Sequence, residues 1–473
     1  MLRLDNLSMP LSWDMPLLTE AVLRKLRVPA DQLISLTLAK KSVDARDKGD
    51  VHFVLSVDVK LKNEDAWLKR MKPGTANRVN PPVLPKLDKP AFSRPPVVVG
   101  AGPAGLFAAL TLAQSGANPI LIERGQPVDK RTQDVAAMQK DGVLDPDSNV
   151  QFGEGGAGAF SDGKLTTGTK SPYIRHVLRT FVDHGAPEEI LYLSKPHIGT
   201  DRLKGVVASI RNEIIRLGGT VLFGTRVTEL IVRGHHVEGV KVLCDGQERE
   251  ILTDSVLLAI GHSARDTMQR LFNQGVVMVQ KPFAMGVRIE HPQSLISQAQ
   301  YGKAWQHPAL GAADYKLAVH TPDKRGCYTF CMCPGGEVIA AASQPGGLCV
   351  NGMSYHARDG RNANAALLVG VNPEDFGDDH PLAGFVWQRS IEQAAYRLGG
   401  TNYHAPVQRV EDLLNGRATA RLGEVIPTYQ PGVTPADLRE CLPGFIIEDL
   451  KFGIRRMDGQ LRGFAHPDAV LQR

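Results

Sequence analysis

Runs of apolar residues divide the first 70 positions into a small α+β unit. A helical pattern begins at Pro16, and its apolar positions are Leu17, Val22, Leu23 and Leu26. Two alternating runs follow, with one apolar face each: Ile34, Leu36 and Leu38, then Phe53, Leu55, Val57 and Val59. With a first strand near residues 2–4, the predicted order is β-α-β-β.

Four basic residues occupy the predicted turn between the two alternating runs. They are Lys40, Lys41, Arg46 and Lys48. This pattern is typical either of the solvated end of a hairpin or of a docking surface, and the sequence leaves both interpretations open.

A proline-rich segment follows this unit. Its prolines are Pro73, Pro81, Pro82, Pro85, Pro90, Pro95 and Pro96. Such a density of proline favours an extended, semi-rigid spacer, so we predict a linker over residues 73–95.

The main body begins with the pattern of a βαβ unit. A short apolar strand at Val97–Val99 is followed by a helix at 106–114 and a second strand at Ile120–Ile122. A later helix at 204–217 precedes strand-like runs at 221–223, 227–232, 237–243 and 256–260. The pattern then becomes mixed, with strand candidates at 284–289 and 338–342.

The turn between the first strand and helix of this βαβ unit carries the strongest chemical signal. It reads G-x-G-x-x-G and consists of Gly100, Ala101, Gly102, Pro103, Ala104 and Gly105. The first glycine permits the tight turn, the second lets the backbone approach a pyrophosphate, and the third allows close packing of helix on strand. Backbone N–H groups at the helix N-terminus then stabilise the anion.

An acidic residue ends the second strand of the same unit. Glu123 is placed to accept hydrogen bonds from the hydroxyls of an adenosine ribose. An unphosphorylated 2′-hydroxyl is therefore favoured, which indicates FAD or NAD rather than NADP.

Three further features resemble the flavin branch of the glutathione reductase superfamily. They are Glu123-Arg124-Gly125 after the second strand, the apolar strand 256–260 ending at Gly261, and Arg226-Val227. The resemblance implies that Arg124, Val227 and Gly261 contact FAD, with Val227 near the adenine.

A second glycine cluster at residues 153–158 also fits G-x-G-x-x-G. A short polar segment precedes it and no helical period follows, so the context does not favour a second dinucleotide site. A loop that closes on the flavin or pyrophosphate through Gly155, Gly156 and Ala157 is the favoured interpretation, beside a purely structural loop. Lys164 either stabilises negative charge at the flavin N1–C2 edge or is a surface lysine.

Long strings across the chain resemble the uncharacterised FAD-dependent dehydrogenases of bacteria. The strings lie at 148–165, 195–201, 259–266, 281–293, 328–336 and 351–359. The resemblance implies one FAD per chain and an α/β fold with three domains. These are a small β-α-β-β domain at 1–72, a Rossmann-type FAD-binding domain at 96–280 and a second mixed α+β domain at 281–473.

Proteins of that family continue past the equivalent of residues 463–471. They end in a glycine-rich strand and helix beside the isoalloxazine ring, whereas this sequence ends at Arg473. The resemblance therefore implies either a truncated or frameshifted chain or a pocket that other residues complete. We expect the AMP half of the FAD site to be kept in both cases, whereas ring positioning and turnover depend on which alternative holds.

Candidate catalytic residues are less sharply indicated. His262, followed by Arg265 and Asp266, is either a neutral-pH acid–base group or a hydrogen-bonded loop histidine. Arg288, with His291, His356 and Arg358, either binds an anionic substrate or has structural roles.

Two cysteines, Cys331 and Cys333, occupy alternate positions of a probable strand and so share a face. They are packed cysteines, thiols of a substrate pocket or a redox relay. Cys327 adds no recognised zinc spacing, and we expect no metal site.

Composition limits the location and the partners. The net charge of +5 is dispersed along 473 residues, which does not favour a nucleic-acid partner. Residues 1–20 lack a continuous apolar signal segment, and no window approaches the roughly 18–20 apolar residues of a membrane span. Six cysteines without regular spacing indicate no disulfide framework, so we expect a cytoplasmic protein.

Together these features predict an FAD-dependent oxidoreductase. A hydride would pass between flavin N5 and a small-molecule substrate, and a transient electron donor or acceptor would complete the cycle. The alternative is a flavin-binding module with a sensing or partner-binding role, or a catalytically impaired truncated flavoprotein.

Overall fold

The computed structural model describes residues 1–80, 87–88 and 91–473. Their contacts form two compact units. The first comprises the described residues of Met1–Lys86 with Lys164–Ile198 and Ile296–Ala313. The second comprises the described residues of Leu87–Gly163 with Gly199–Leu295 and Asp314–Arg473.

These units differ from the predicted division of the chain, because residues 164–198 lie on the N-terminal sheet. The N–H of Lys41 donates to the carbonyl oxygen of Tyr192 at 2.7 Å, and the N–H of Ser194 donates to that of Lys41 at 2.9 Å. The boundaries at 72, 95 and 280 stay predictions. Four prolines of the predicted linker lie outside the described residues: Pro81, Pro82, Pro85 and Pro90.

The described residues form the following helices and strands. The helices are α1 (Met15–Leu26), α2 (Glu64–Arg70), α3 (Pro103–Gln114), α4 (Val128–Asp141), α5 (Tyr173–Asp183), α6 (Thr200–Arg216), α7 (Arg265–Asn273), α8 (Gln293–Tyr301), α9 (Ala383–Gly399), α10 (Val410–Leu414) and α11 (Gly444–Asp458). The strands are β1 (Leu2–Met9), β2 (Leu33–Asp44), β3 (His52–Leu61), β4 (Asn77–Arg78), β5 (Val97–Val99), β6 (Ile120–Ile122), β7 (Thr220–Leu222), β8 (Thr225–Arg233), β9 (His236–Cys244), β10 (Gln247–Leu252), β11 (Val256–Leu258), β12 (Phe283–Pro292), β13 (Ala318–His320), β14 (Gly326–Cys333), β15 (Glu337–Ala340), β16 (Val350–Met353), β17 (Asn362–Val371), β18 (Ala405–Arg409), β19 (Val433–Pro435) and β20 (Val470–Gln472).

The first unit is built on an antiparallel sheet in the order β2-β3-β1-β4. Helix α1 begins after Asp14, whose carboxylate accepts from the N–H of Leu17 as an N-cap. Its buried residues Leu18, Val22 and Leu26 pack on the sheet and complete one apolar core. The elements β1, α1, β2 and β3 therefore follow in the predicted β-α-β-β order.

Strand β2 departs from its predicted pattern in two ways. The pairing with β3 shifts register between Leu33 and Ser35, so Leu33 joins the core and Ile34 is 53% exposed. Lys40 and Lys41 lie within β2 rather than in the turn, because the strand runs on to Asp44.

The basic residues of β2 and the following turn are engaged within the unit. The Lys41 ammonium lies over the ring of Phe53, 4.4 Å from its centroid, and Arg46 pairs with Asp44 at 2.5 Å. Lys48 donates to the carbonyl oxygen of Gln300. These contacts favour a structural role over a docking surface.

A parallel sheet in the order β11-β5-β6-β7 organises the start of the second unit. Strand β5 is fully buried between β11 and β6, and α3 packs against β5 and β6. The predicted β5, α3 and β6 are therefore confirmed, with the helix starting three residues earlier than the apolar period indicated. The carboxyl ends of these strands form one edge of the sheet.

The remainder of the second unit contains a three-stranded sheet, β10-β9-β8, and a seven-stranded sheet, β13-β14-β17-β12-β20-β18-β19. In the larger sheet, β12 pairs antiparallel with β17 over ten residues and with β20 on its other side. None of the helices formed by the described residues combines the length and the apolar character needed to cross a bilayer.

Candidate functional site

A cavity of about 380 Å³ opens in the second unit at the carboxyl ends of the parallel strands. Many of the residues that line the cavity are ones that the sequence predicted as cofactor contacts. These are Gly100, Gly102, Pro103, Ala104, Glu123, Arg124, Gly156, Ala157, Val227 and Gly261. His262, predicted as a possible acid–base group, also lines the cavity.

The tight turn before α3 requires glycine at the first and third glycine positions of the motif, because a side chain there would clash with the backbone. Gly100 has a φ of +100°, and a Cβ there would lie 2.5 Å from the carbonyl oxygen of Ala259. A Cβ on Gly105 would overlap the carbonyl oxygen of Gly100. Helix α3 therefore packs directly on the turn, which brings its N-terminus to the cavity.

The N-terminus of α3 is open for an anion. Gly102 is the N-cap and supplies no side chain, Pro103 has no N–H, and the first turn contains no acidic residue. The N–H groups of Ala104 and Gly105 have no intrahelical acceptor at these positions. A pyrophosphate placed here would receive the N–H of Ala104, which lines the cavity, and would face the positive end of the helix dipole.

Glu123 connects the glycine turn to the second glycine cluster. Its Oε2 accepts from the N–H of Ala101 at 2.7 Å, and its Oε1 accepts from the N–H groups of Gly125 and Gly153, both at 2.9 Å. The side chain is 5% exposed and lines the cavity. Glu123 thus holds three backbone segments in place at the cavity wall.

The second glycine cluster forms a loop beside the first turn, followed by a short 3₁₀ helix at Gly156–Phe160. The N–H of Gly155 donates to the carbonyl oxygen of Ala101 at 2.8 Å. Ala101, Gly105 and Gly155, which the sequence predicted as cofactor contacts, are not among the residues that line the cavity.

A fully buried arginine anchors this loop. Arg131 on α4 donates to the carbonyl oxygens of Asn149, Val150 and Glu154 at 2.6–3.0 Å, and more distantly to that of Gly153. Burial lowers the pKa of Arg131 to about 10, which leaves the guanidinium charged at neutral pH. The loop therefore has a fixed backbone, although it consists largely of glycine and alanine.

Arg124 belongs to a cluster of two arginines and two aspartates at the cavity wall. It pairs with Asp147 at 2.7 Å and with Asp266 at 2.9 Å, and Arg226 lies 3.6 Å from each of these carboxylates. Burial lowers the pKa of Arg124, but the hydrogen bonds and charges of the two aspartates outweigh it and raise the pKa overall. The Arg124 guanidinium also lies over the ring of Phe152, 4.3 Å from its centroid.

His262 is exposed and belongs to the part of the wall formed by residues after β11. Its Nε2 lies 3.2 Å from the hydroxyl oxygen of Ser263, which in turn donates to Oε1 of Gln151 at 3.3 Å. Partial desolvation and then the positive charge of Arg265 lower the pKa of His262, and solvent screens this effect. Arg265 itself pairs with Glu392 at 2.6 Å.

Two of the other candidate residues lie elsewhere. Lys164 belongs to the first unit, where it forms a β-bridge with His197, and it is not among the cavity residues. Arg288 on β12 is 3% exposed and donates to the side-chain oxygens of Asn364 and Asn351. These contacts favour a structural role for Arg288.

The residues proposed with Arg288 for an anionic substrate have separate partners. His291 contacts the carbonyl oxygen of Phe464 at 2.8 Å, Arg358 pairs with the buried Asp162, and the backbone N–H of His356 donates to Asp201. These contacts go to different partners, and none of the four residues is among those that line the cavity.

Cys331 and Cys333 do not share a face as predicted. The β14–β17 pairing shifts register between Phe330 and Cys333, and Cys331 has a φ of +44°. This bulge interrupts the alternation, so that Cys333 is buried and Cys331 is partly exposed.

Sequence reasoning did not assign a further group of residues that line the cavity. It includes Gln151, Phe152, Gly153, Thr225, Arg226, Ser263, Ala264, Thr267 and Met268. For Thr225, Arg226, Ser263 and Ala264 the available signal was their position just beyond predicted strands, since carboxyl ends of parallel strands converge on a ligand.

The parallel sheet, the glycine turn and the open N-terminus of α3 define a Rossmann-type dinucleotide site. The donors present fit the pyrophosphate of FAD, and Glu123 fits its ribose. Comparison with known proteins then identifies the families that this chain matches. Residues 96–137 match an FAD binding domain, residues 282–473 match the family described as FAD-dependent protein, C-terminal domain-like, and residues 1–60 match a domain of unknown function.

An uncharacterized protein of Clostridium beijerinckii is 48% identical over 473 residues, covering 99% of this chain and 88% of that protein. The chain therefore belongs to the same family of FAD-dependent proteins. Its cofactor is FAD, and it is a flavin-dependent oxidoreductase in the general sense. A place within the glutathione reductase superfamily stays a prediction.

Solved structures show weaker likenesses. A glycerol-3-phosphate dehydrogenase from Bacillus halodurans complexed with FAD is 12% identical, with 63% of this chain and 53% of that chain covered and a TM-score of 0.30. A geranylgeranyl bacteriochlorophyll reductase-like protein from Thermoplasma acidophilum is also 12% identical, with 64% and 61% covered and a TM-score of 0.31. The chain thus spans less than two thirds of either protein, and such low TM-scores bear on neither substrate nor mechanism.

Proposed function

We propose that this chain is an FAD-dependent dehydrogenase that transfers a hydride between flavin N5 and a small organic substrate. The observation that supports it best is the joining of the open α3 N-terminus, Glu123 and the 153–157 loop in one cavity. Such a cavity fits a tightly held dinucleotide better than one that exchanges in each cycle, because three backbone segments converge on it.

The chain's own residues have separate tasks in this proposal. The N–H groups at the start of α3 bind the pyrophosphate, Glu123 accepts from the ribose, and the backbone near Val227 receives the adenine. Gly156 and Ala157 close the wall on the side of the pyrophosphate. Bound FAD supplies a two-electron donor and acceptor at N5.

His262 is the side chain at the cavity that best suits proton transfer. Its lowered pKa keeps the imidazole neutral at pH 7, so that it can accept a proton from a hydroxyl or amine as the hydride leaves. Ser263, 3.2 Å from Nε2, orients the ring. We propose a small, hydride-donating alcohol, hydroxy acid, amino acid or amine as substrate, and a transient acceptor that reoxidises the flavin.

Anaerobic mixing of the purified flavoprotein with NADH, NADPH and a panel of hydroxy acids, amino acids and amines tests the proposal. We expect at least one compound to bleach the flavin absorbance and added acceptor to restore it. Bound FAD that no member of the panel reduces would contradict dehydrogenase activity and favour a sensing or partner-binding module.

The His262→Asn variant then tests proton transfer at the site. We expect the rate of flavin reduction by the active compound to fall about 10²-fold or more, with FAD content unchanged. His236→Asn serves as the matched control, because His236 lies on β9 and is exposed away from the cavity. Equal rates in His262→Asn and the wild type would remove His262 from the mechanism.

A further inference from the structure

Hydrogen bonds to two carboxylates hold the guanidinium of Arg124 in a fixed plane. Nε and Nη2 both donate to Oδ1 of Asp147, at 3.0 and 2.7 Å. Nη1 and Nη2 donate to the two carboxylate oxygens of Asp266, at 2.9 and 3.0 Å. Four of the five N–H groups of an arginine are therefore used, and rotation of the plane would break two ion pairs.

One face of this plane is already covered. The ring of Phe152 lies 4.3 Å from the guanidinium carbon, which is a stacking distance. The Arg124 side chain is 12% exposed and lines the cavity beside Phe152 and Arg226. With four N–H groups and one face occupied, the second face and one N–H of Nη1 are the parts of the guanidinium left to meet a ligand.

The charge of this cluster is balanced, so it offers little attraction to a further phosphate. Arg124 and Arg226 face Asp147 and Asp266, which are all within 3.6 Å of an opposite charge. A flat, weakly hydrated guanidinium in such a neutral setting suits an aromatic ring better than an anion. Nucleic-acid bases stack on arginine planes in this way in other proteins.

We propose that the second face of the Arg124 guanidinium is the platform on which the adenine ring of FAD stacks. Arg124 then selects for a purine at this end of the cavity, while the α3 N-terminus and Glu123 select for pyrophosphate and ribose. The proposal rests on FAD occupying this cavity and is independent of the hydride-transfer step.

The contact between adenine and Arg124 can be measured with two ligands that differ only in the base. ADP and ribose 5-diphosphate share the ribose and both phosphates. Full-length protein freed of flavin is titrated with FAD, and each compound is added as a competitor. Arg124→Lys keeps the charge and removes the plane, and Arg226→Lys makes the same change at the neighbouring arginine as a matched control.

We expect Arg124→Lys to weaken ADP and FAD about tenfold, and ribose 5-diphosphate by less than about twofold. Arg226→Lys should change ADP and ribose 5-diphosphate by the same small factor. Equal weakening of ADP and ribose 5-diphosphate by Arg124→Lys, or no weakening of ADP, would overturn the stacking proposal.

Phe152→Leu provides a second variant, because it removes the ring that backs the guanidinium and leaves both ion pairs in place. We expect the same selective loss of ADP affinity, by a smaller factor. Wild-type protein that binds neither FAD nor ADP would instead contradict the placement of FAD in the cavity. Failure of that placement is thereby distinguished from failure of the stacking contact.

Discussion

The carboxylate of Glu123 accepts a hydrogen bond at 2.9 Å from the backbone N–H of Gly153, which lies thirty residues further along the chain. This bond joins the two glycine-rich segments that the sequence presents as separate motifs. Because the same carboxylate also receives the N–H groups of Ala101 and Gly125, Glu123 organises the cavity as well as facing its ligand.

Replacing Glu123 tests this double role. Glu123→Gln keeps one acceptor oxygen but turns an amide NH₂ toward backbone N–H donors, so we expect the free energy of unfolding to fall by about 2–4 kcal/mol. FAD content should fall with it. Glu229→Gln on β8 is the control, since Glu229 is 41% exposed and pairs with Lys241 at the surface, and it should leave stability and FAD content close to those of the wild type. Wild-type stability and FAD content in Glu123→Gln would contradict the account.

A methyl group at Gly105 should disrupt the turn. Because the added Cβ of Gly105→Ala would overlap the carbonyl oxygen of Gly100, we expect a loss of about 3 kcal/mol or more and no bound FAD. Gly205→Ala is the matched control within α6, where a Cβ meets nothing within 4 Å. That change should stabilise the protein by up to about 1 kcal/mol. Urea unfolding and FAD release measure both, and a Gly105→Ala protein that retains FAD would refute the packing argument.

Arg131 should be essential to the loop that closes the cavity. Arg131→Met is similar in length but leaves the carbonyl oxygens around the guanidinium without donors, so we expect a loss of about 3–5 kcal/mol. Arg216→Met is the control, because it removes an exposed surface pair with Glu213 and should leave stability close to that of the wild type. Unchanged FAD affinity in a folded Arg131→Met protein would show that the loop does not depend on this anchor.

Buried His291 should make stability depend on pH. Burial, partly opposed by the Phe464 carbonyl, lowers the pKa of His291 to about 4 in the folded protein, against about 6.5 when unfolded. The unfolded state therefore binds the extra proton first, and stability present above pH 6.5 is lost as pH falls toward 4, by about 3 kcal/mol in all. In the His291→Asn variant, the urea midpoint should change less between pH 7 and pH 5 than it does in the wild type. The same slope in both proteins would contradict the assigned pKa.

Local signals explain what the sequence could predict. The strand, turn and helix at residues 97–114 depend on neighbours in the chain, and so do the apolar runs of the N-terminal sheet. The dinucleotide site followed from the same short motif. The choice of FAD followed from the resemblance to flavoproteins, and the family matches confirm it. The error at Ile34 also has a local cause, because a bulge reverses the alternation and propensity does not place bulges.

The features that the sequence could not predict depend on partners far apart in the chain. Arg124 reaches Asp266 across 142 residues, and no periodicity links the two positions. Arg131 looks like a polar helix residue until the loop carbonyls fold over it. Arg288 resembled a substrate ligand, yet its guanidinium is enclosed by Asn351 and Asn364 from other strands. Charged residues in a sequence do not reveal whether their partners are ligands or distant parts of the same chain.

The visible absorption spectrum of the purified full-length protein, with identification of the flavin released on denaturation, tests the central claim most directly. The account predicts a yellow protein that releases one FAD per chain, and a Gly105→Ala protein of the same purity that is colourless. A colourless wild-type protein that releases no FAD and cannot be reconstituted with it would contradict the assignment of the cavity.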